Sequence, residues 1–278
     1  MAPVKHIFYE KEWILNGFKY RTSTAILSEV PFDPEILVLG TFNPEQPDNN
    51  PEFYYGRNYF WPLIFNLLKH KSIHYTKKRE NYDSPLLSIG EILGICQKYK
   101  LVFADLISQV LHVGNPEYIW QKRKGKGRPS QNLIYKGNKF NLIQDYTKTE
   151  KSITTYGLSE LAKENQIDWN AERIQKFIQE NKSIKTVYLT CNPSGSFKKK
   201  WNEITKYNYG RKVNFRRLFT PSAQGTPEKC HKMKYVLQHW LGKFDFKGNY
   251  EGIDLDWLRN YLSNNDIENL KNLDCTIL

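Results

Sequence analysis

Apolar residues along this chain gather in short runs that end in small or polar residues. EILVLGT (Glu35–Thr41), LVFADLIS (Leu101–Ser108) and IKTVYLTC (Ile184–Cys191) are the clearest, and VNFRRLF is a fourth that breaks at Pro221. Runs this short, rich in branched residues and closed by turn formers, predict strands: buried ones in EILVLGT and IKTVYLTC, a strand or strand end in LVFADLIS and a strand-like run in VNFRRLF. Between them the spacing changes to that of a helix. In RNYFWPLIFNLLKH the apolar positions Phe60, Leu63, Ile64, Leu67 and Leu68 share one helical face. Pro62 is tolerated only in the first turn, so this helix should begin around Asn58 to Phe60. SPLLSIGEILGICQKYK reads as a second helix, and NAERIQKFIQEN as a third with Ile174, Phe177 and Ile178 inward. NPSGSFKKKWNEITK opens in turn chemistry and continues as a helix, and PEKCHKMKYVLQHWLGKF reads as another with Pro227 in its first turn.

Alternating strands and helices predict an α/β fold: three layers, α/β/α, with a mostly parallel central sheet of about four to five strands and helices on both faces. The expected organisation is one domain over 1–278, with its core in about 34–242, a loop-rich basic insertion in about 114–151 and an acidic extension over 244–278. In such sheets ligands bind beyond the carboxyl ends of the strands. That rule gathers four segments around one crevice: the loop after Gly40, the Asp105 region, Asn192–Ser194 and Thr220–Gly225.

Charge adds a partner to this picture. Lys and Arg number 41 against 29 Asp and Glu, a formal net charge of +12. The excess is concentrated. Gln121–Lys139 holds seven bases and no acid, and Ser196–Arg217 holds eight bases and one Glu, whereas the chain from Phe244 carries seven acids and three bases. Two cationic segments point to a polyanion such as DNA; a merely solvated Lys-rich surface is the bland alternative. Cys96, Cys191, Cys230 and Cys275 lack the close pairing of metal or cluster ligands, so neither a metal site nor a disulfide is expected. No apolar run approaches the roughly 18 residues of a membrane helix, and no signal peptide opens the chain, which makes a soluble, cytoplasmic protein the expectation.

The stretch GTFNPEQPDNNPEFYYGRNYFW (Gly40–Trp61) is richer in large rings than a surface loop requires. With its preceding strand, VLGTFNPE…YYGRNYFWPLI resembles the first signature of the uracil-DNA glycosylase superfamily: strand, Gly, Pro-containing loop, aromatic, then N-x-F-W opening a helix. LFTPSAQG resembles the second signature. LVFADLI and VYLTCNPSGSFKKKW fall between them in the family's order, so the likeness spans about Ile36 to Leu241. It is closest to the mismatch-specific and hypoxanthine-type branches, and the cysteine pattern of the iron–sulfur branches is missing.

The resemblance implies a monofunctional, monomeric DNA glycosylase without metal or cofactor, acting on duplex or single-stranded DNA in base-excision repair. A base inside a duplex must be extruded before its glycosidic bond can be reached, and the cleavage passes through an oxocarbenium-like sugar while charge grows on the departing base. The family's water-activating residue stands two positions after the strand-ending Gly. Phe42 occupies that place here, so Asn43 and the N-x-F-W residue Asn58 are the alternatives; Asn58 could equally be a helix cap and Asn43 a turn former. By the same likeness Gly40, Phe42, Tyr54 and Tyr55 would bind the base, with Tyr55 stacking on it and Phe60 and Trp61 anchoring the helix in the core.

By the same likeness Thr220 is a catalytic candidate, standing where better-known branches have His or Asn, though Thr cannot become cationic and is a weaker oxyanion partner. Ser222 matches a phosphate contact, and Ala223, Gln224 and Gly225 the loop that probes the minor groove, with Gln224 as the wedge. Lys198, Lys199 and Lys200 are candidate phosphate contacts. Asp105 could orient a water or cap a helix; His112, His231 and His239 carry no spacing signal and read as structural or surface residues. The Phe42 and Thr220 departures keep alive a catalytically weak nucleic-acid-binding protein of the same family. A nucleoside or nucleotide hydrolase is disfavoured, because a small substrate needs no extended cationic track.

Overall fold

The computed structural model describes residues 3–46, 51, 53–56, 58–76, 87–111, 118–122, 131–150, 152–244 and 249–274. Its centre is a seven-stranded sheet in the order Asn214–Arg217, Thr186–Leu189, Ile36–Gly40, Leu101–Asp105, Ile26–Glu29, Phe18–Ser23, Glu12–Leu15. The expected mostly parallel sheet of four to five strands in three layers is overturned. Parallel pairing is confined to the first four strands of that order, and the other three add antiparallel. Outside this sheet the described strand pairs are all antiparallel, and the eight described α-helices are short.

The reason lies in the first thirty residues. Asn16 and Gly17 both have positive φ, 50° and 79°, and so do Thr24 and Ala25, at 47° and 72°. Two positive-φ residues between strands match the right-handed twist of an antiparallel pair. The resulting meander lays Ile26–Glu29 beside Leu101–Asp105, where Asp105 N–H donates to Ala25 O at 3.1 Å. An exposed edge of the parallel strands is thereby paired.

Ile36–Gly40 and Leu101–Asp105 are buried at every position, as strands covered on both faces must be. Ile89–Tyr99 packs on Leu101–Asp105; its N-terminus is a capping box in which Ser88 and Glu91 satisfy each other's backbone N–H. Ala171–Glu180 buries Ile174, Phe177 and Ile178 against Gly195–Thr205. Phe60–Ile64 continues as a π-helical turn, Phe65–His70. The last large helix is Lys232–Trp240, not a helix from Pro227: His231 Nδ1 accepts the Lys234 N–H and sets the start, while Pro227 sits in the turn before it.

Two further readings change. The described part of the 114–151 stretch carries strands, Tyr118–Lys122, Gln131–Tyr135 and Asn138–Phe140 in one antiparallel sheet and Lys148–Glu150 paired with Ile153–Thr155 beyond it, on either side of an irregular segment over 141–147. The acidic tail folds back onto the protein through Leu258, Leu262, Ile267 and Leu270, all buried in the common core. His112, Cys275 and residues 123–130 of the basic segment lie outside the described residues. No described helix is long and apolar enough to cross a membrane.

Candidate active site

At the carboxyl ends of the four parallel strands lies a cavity of about 590 Å3, joined to a smaller one of about 280 Å3 through Gly40, Thr41, Tyr55, Asn58, Ile143 and Ser222. The chain brings its two signature-like segments together directly: Tyr59 N–H donates to Pro221 O at 2.9 Å. Thr190, Cys191 and Asn192 contribute from the end of Thr186–Leu189, and Thr220, Ser222 and Gln224 from beyond Asn214–Arg217.

Gly40 is where the backbone has to be bare. A Cβ added there would lie 2.3 Å from Asp105 Oδ1 and 3.0 Å from the Tyr55 hydroxyl. Tyr55 holds a left-handed backbone, φ 60°, and its ring stacks on Phe60 at 4.5 Å between centroids. Thr190 Oγ1 donates to Leu39 O at 3.1 Å, so the 2.9 Å contact between the two hydroxyls uses the phenol's proton. Burial, then the nearby Asp105 carboxylate, pushes the Tyr55 phenol well up, so it stays protonated. Its ring edge and oxygen line the cavity, but Phe60 covers one face of the ring.

Tyr54 does not face the crevice as expected. It is 1% exposed and packs on Phe8, Phe53 and Phe103, where burial of its large ring in the aromatic core holds it away from the cavity lining. Phe60 and Trp61 are buried, and Trp61 Nε1 donates to Tyr54 O at 2.6 Å. Phe42 is buried, with its ring edge-on to His6, and lines the smaller cavity beside Asn43. The Asn43 carbonyl accepts Ile7 N–H at 2.8 Å, so part of this residue's work is to dock the N-terminal segment.

Asn58 lines both cavities while its Oδ1 accepts Phe60 N–H at 2.8 Å. Capping and cavity lining coexist in one side chain. Thr220 and Ser222 share a hydroxyl–hydroxyl bond of 3.0 Å on the cavity wall, and Gln224 and Gly225 stand exposed at its rim after Ala223, which holds φ 60°. Lys198 and Lys199 are exposed but line a separate open groove with Lys206, and Lys200 is paired with Glu203 at 2.8 Å.

The largest omission of the sequence reading is the segment Asn141–Tyr146, which closes the cavity opposite the strands. Gly157 clamps it: a Cβ there would meet the Tyr146 carbonyl carbon at 2.6 Å and Gln144 O at 2.7 Å. Leu158 and Ser159 N–H donate to the carbonyls of Gln144 and Asp145, each at 2.9 Å. The segment presents Asp145, whose carboxyl accepts from Thr41 and is pushed up to about 6 by lost hydration and by the Asp105 carboxylate. Tyr146 lies beside it, with its hydroxyl accepting Ser194 N–H at 2.8 Å. Burial, then Asp145, pushes the Cys191 thiol well up, so it is a neutral wall rather than a nucleophile. Nothing in the local pattern NLIQDYTK marks Asp145, because its partners are distant in sequence.

His6 was missed as well. Its Nε2 lies 2.6 Å from Asp105 Oδ2 and its Nδ1 accepts Phe8 N–H at 3.0 Å. His239 does not line either cavity; it is buried, stacked on Phe219 at 4.5 Å. Compared with protein-family models, curated proteins and solved structures, the chain shows no match.

Proposed function

We propose that this protein is a DNA glycosylase that extrudes a deaminated or otherwise modified base, such as uracil or hypoxanthine, and hydrolyses its N-glycosidic bond, leaving an abasic site in cytoplasmic DNA. One observation carries the reading: a single cavity of about 590 Å3 at the carboxyl ends of parallel strands is lined by both signature-like segments, Tyr55 and Asn58 from the first and Thr220 and Ser222 from the second. That volume lies within the ~300–1,000 Å3 typical of small-ligand clefts and leaves room for one flipped nucleotide.

The roles follow from what each group has left to offer. With Oδ1 engaged by Phe60 N–H, Asn58 offers its Nδ2 donor to a base carbonyl, where charge grows as the bond breaks. Tyr55 lines the base's slot, Thr220 and Ser222 offer hydroxyls to the flanking phosphate, and Gln224 at the rim fills the vacated stack. Exposed Lys198 and Lys199 extend the anion-binding surface away from the mouth.

The test is a panel of duplexes and single strands, each with one modified base, incubated with protein and then cleaved with alkali. Wild type should cut at one or more lesions, and Asn58→Ala should slow single-turnover cleavage by roughly 10²-fold, the typical cost of one positioned donor. If no lesion yields an abasic site while duplex DNA is still bound in a salt-dependent way, the catalytically weak DNA-binding protein replaces this reading.

A further inference from the structure

Phe42 stands where the resembled superfamily carries its water-activating side chain, and a phenyl ring cannot take a proton. The adjacent strand brings a carboxylate to the same level. Gly40 is paired in register with Asp105, and Asp105 lines the smaller cavity together with Tyr55 and Asn58. Its Oδ1 occupies the space over the Gly40 Cα that any other side chain would fill.

The opposite oxygen is anchored. Oδ2 lies 2.6 Å from Nε2 of His6, whose side chain is 0% exposed. Because His6 Nδ1 accepts the Phe8 N–H, the ring proton sits on Nε2 and donates to the carboxylate. The rings of Phe8, Phe42 and Tyr54 enclose the imidazole and hold its orientation. Asp105's own backbone is pinned as well, its carbonyl accepting from Asn170 Nδ2 at 2.9 Å. One oxygen is thus fixed by a buried donor and the other is aimed toward the crevice. That is the arrangement of a general base with its orienting partner.

We propose that Asp105 is the catalytic base that takes the proton of the attacking water, and that His6 is its positioning residue; this rests on the glycosylase reading. The water oxygen bonds to the sugar C1′ and its proton passes to Asp105 Oδ1. The C1′–N bond breaks with its electron pair leaving on the base, which takes a proton from solvent. Asp105 then returns its own proton to solvent. Before transfer, the same carboxylate stabilises the positive charge developing on the sugar. The titratable groups that face Asp105 are His6, Tyr54, Tyr55 and Asp145.

The experiment uses the full chain and whichever lesion duplex the wild type cleaves. Asp105→Asn keeps the shape and the acceptor for His6 but cannot take a proton. Single-turnover cleavage should fall by about 10²–10⁴-fold, the range of general base catalysis, with duplex affinity within about threefold of wild type. His6→Phe, which lacks a donor, should slow cleavage by about tenfold or more, and His6→Gln, which keeps an N–H, should recover most of that loss at unchanged affinity. Asp105→Asn cleaving within about fivefold of wild type, or losing affinity in step with rate, overturns the proposal alone and leaves the glycosylase standing. If Asp105→Asn does not fold, equal rates for the two His6 variants overturn it instead. A wild type that makes no abasic site on any duplex removes the glycosylase reading and this base with it.

Discussion

In the folded protein the Asp145 carboxyl keeps its proton up to about pH 6, against an ordinary value of 3.8, because burial and the Asp105 carboxylate both oppose its charge. Below about pH 4 it is protonated folded and unfolded alike, and this group imposes no penalty on the folded state. Between about 4 and 6 the unfolded chain ionises first and stability is lost; above 6 the penalty stays constant. Asp145→Asn should therefore stabilise the protein at pH 7.5 by roughly 1–3 kcal/mol in urea unfolding and leave it nearly unchanged at pH 3.5. An equal effect at both pH values would show that charge is not the cause. Gly40→Ala belongs to the same scale. Its methyl must displace Asp105 Oδ1 from 2.3 Å, so a loss of about 1–3 kcal/mol in the same assay is expected, together with slower cleavage.

Among the elements, three segments outside the parallel strands brace the residues that line the cavities. Val4–Lys5 pairs with Ile107–Val110, and His6 and Ile7 tie the loop after Gly40 to the sheet. The hairpins over Glu12–Glu29 cover the edge of Leu101–Asp105 and fix Asp105 through Ala25 O. The helix Leu158–Lys163 holds Asn141–Tyr146 against the crevice by the backbone contacts of its first turn. Gly157 precedes that helix with an extended backbone, so its need is for space, not for a left-handed turn. Gly157→Ala should push the Gln144–Tyr146 backbone outward, costing about 1–3 kcal/mol of stability and returning the Asp145 carboxyl toward its ordinary value. A titration of that carboxyl by NMR that is unchanged in the variant would refute the coupling.

Across the whole molecule the cationic excess is partly spent on the fold. Arg211 caps carbonyls of Ile178, Asn181 and Ile184, Arg217 pairs with Glu251, and Lys200 with Glu203. Of the lysines singled out in the Ser196–Arg217 segment, the exposed pair Lys198 and Lys199 is left to meet phosphate. Changing both to Ala should weaken DNA binding evenly across sequences and lower the slope of log affinity against log salt by about 2, one per phosphate contact. An unchanged slope would mean that DNA does not reach this groove. The sequence by itself determined the elements whose signal is local: four short runs that become parallel strands, three of them buried and Asn214–Arg217 half-buried, the helices with a clean apolar face, and the two loops that meet at the cavity. It also held a local signal that was not read, the Asn16–Gly17 turn behind the antiparallel half of the sheet. Tertiary structure alone decided the rest. Tyr54 and Tyr55 are neighbours of the same residue type, and only their packing in the fold places one in the core and the other on the cavity. His6, Asp105 and Asp145 are scattered over the chain and acquire meaning only when folding brings their charges and hydrogen bonds together. Periodicity records how a segment packs; the pairing of distant polar groups leaves no period to read.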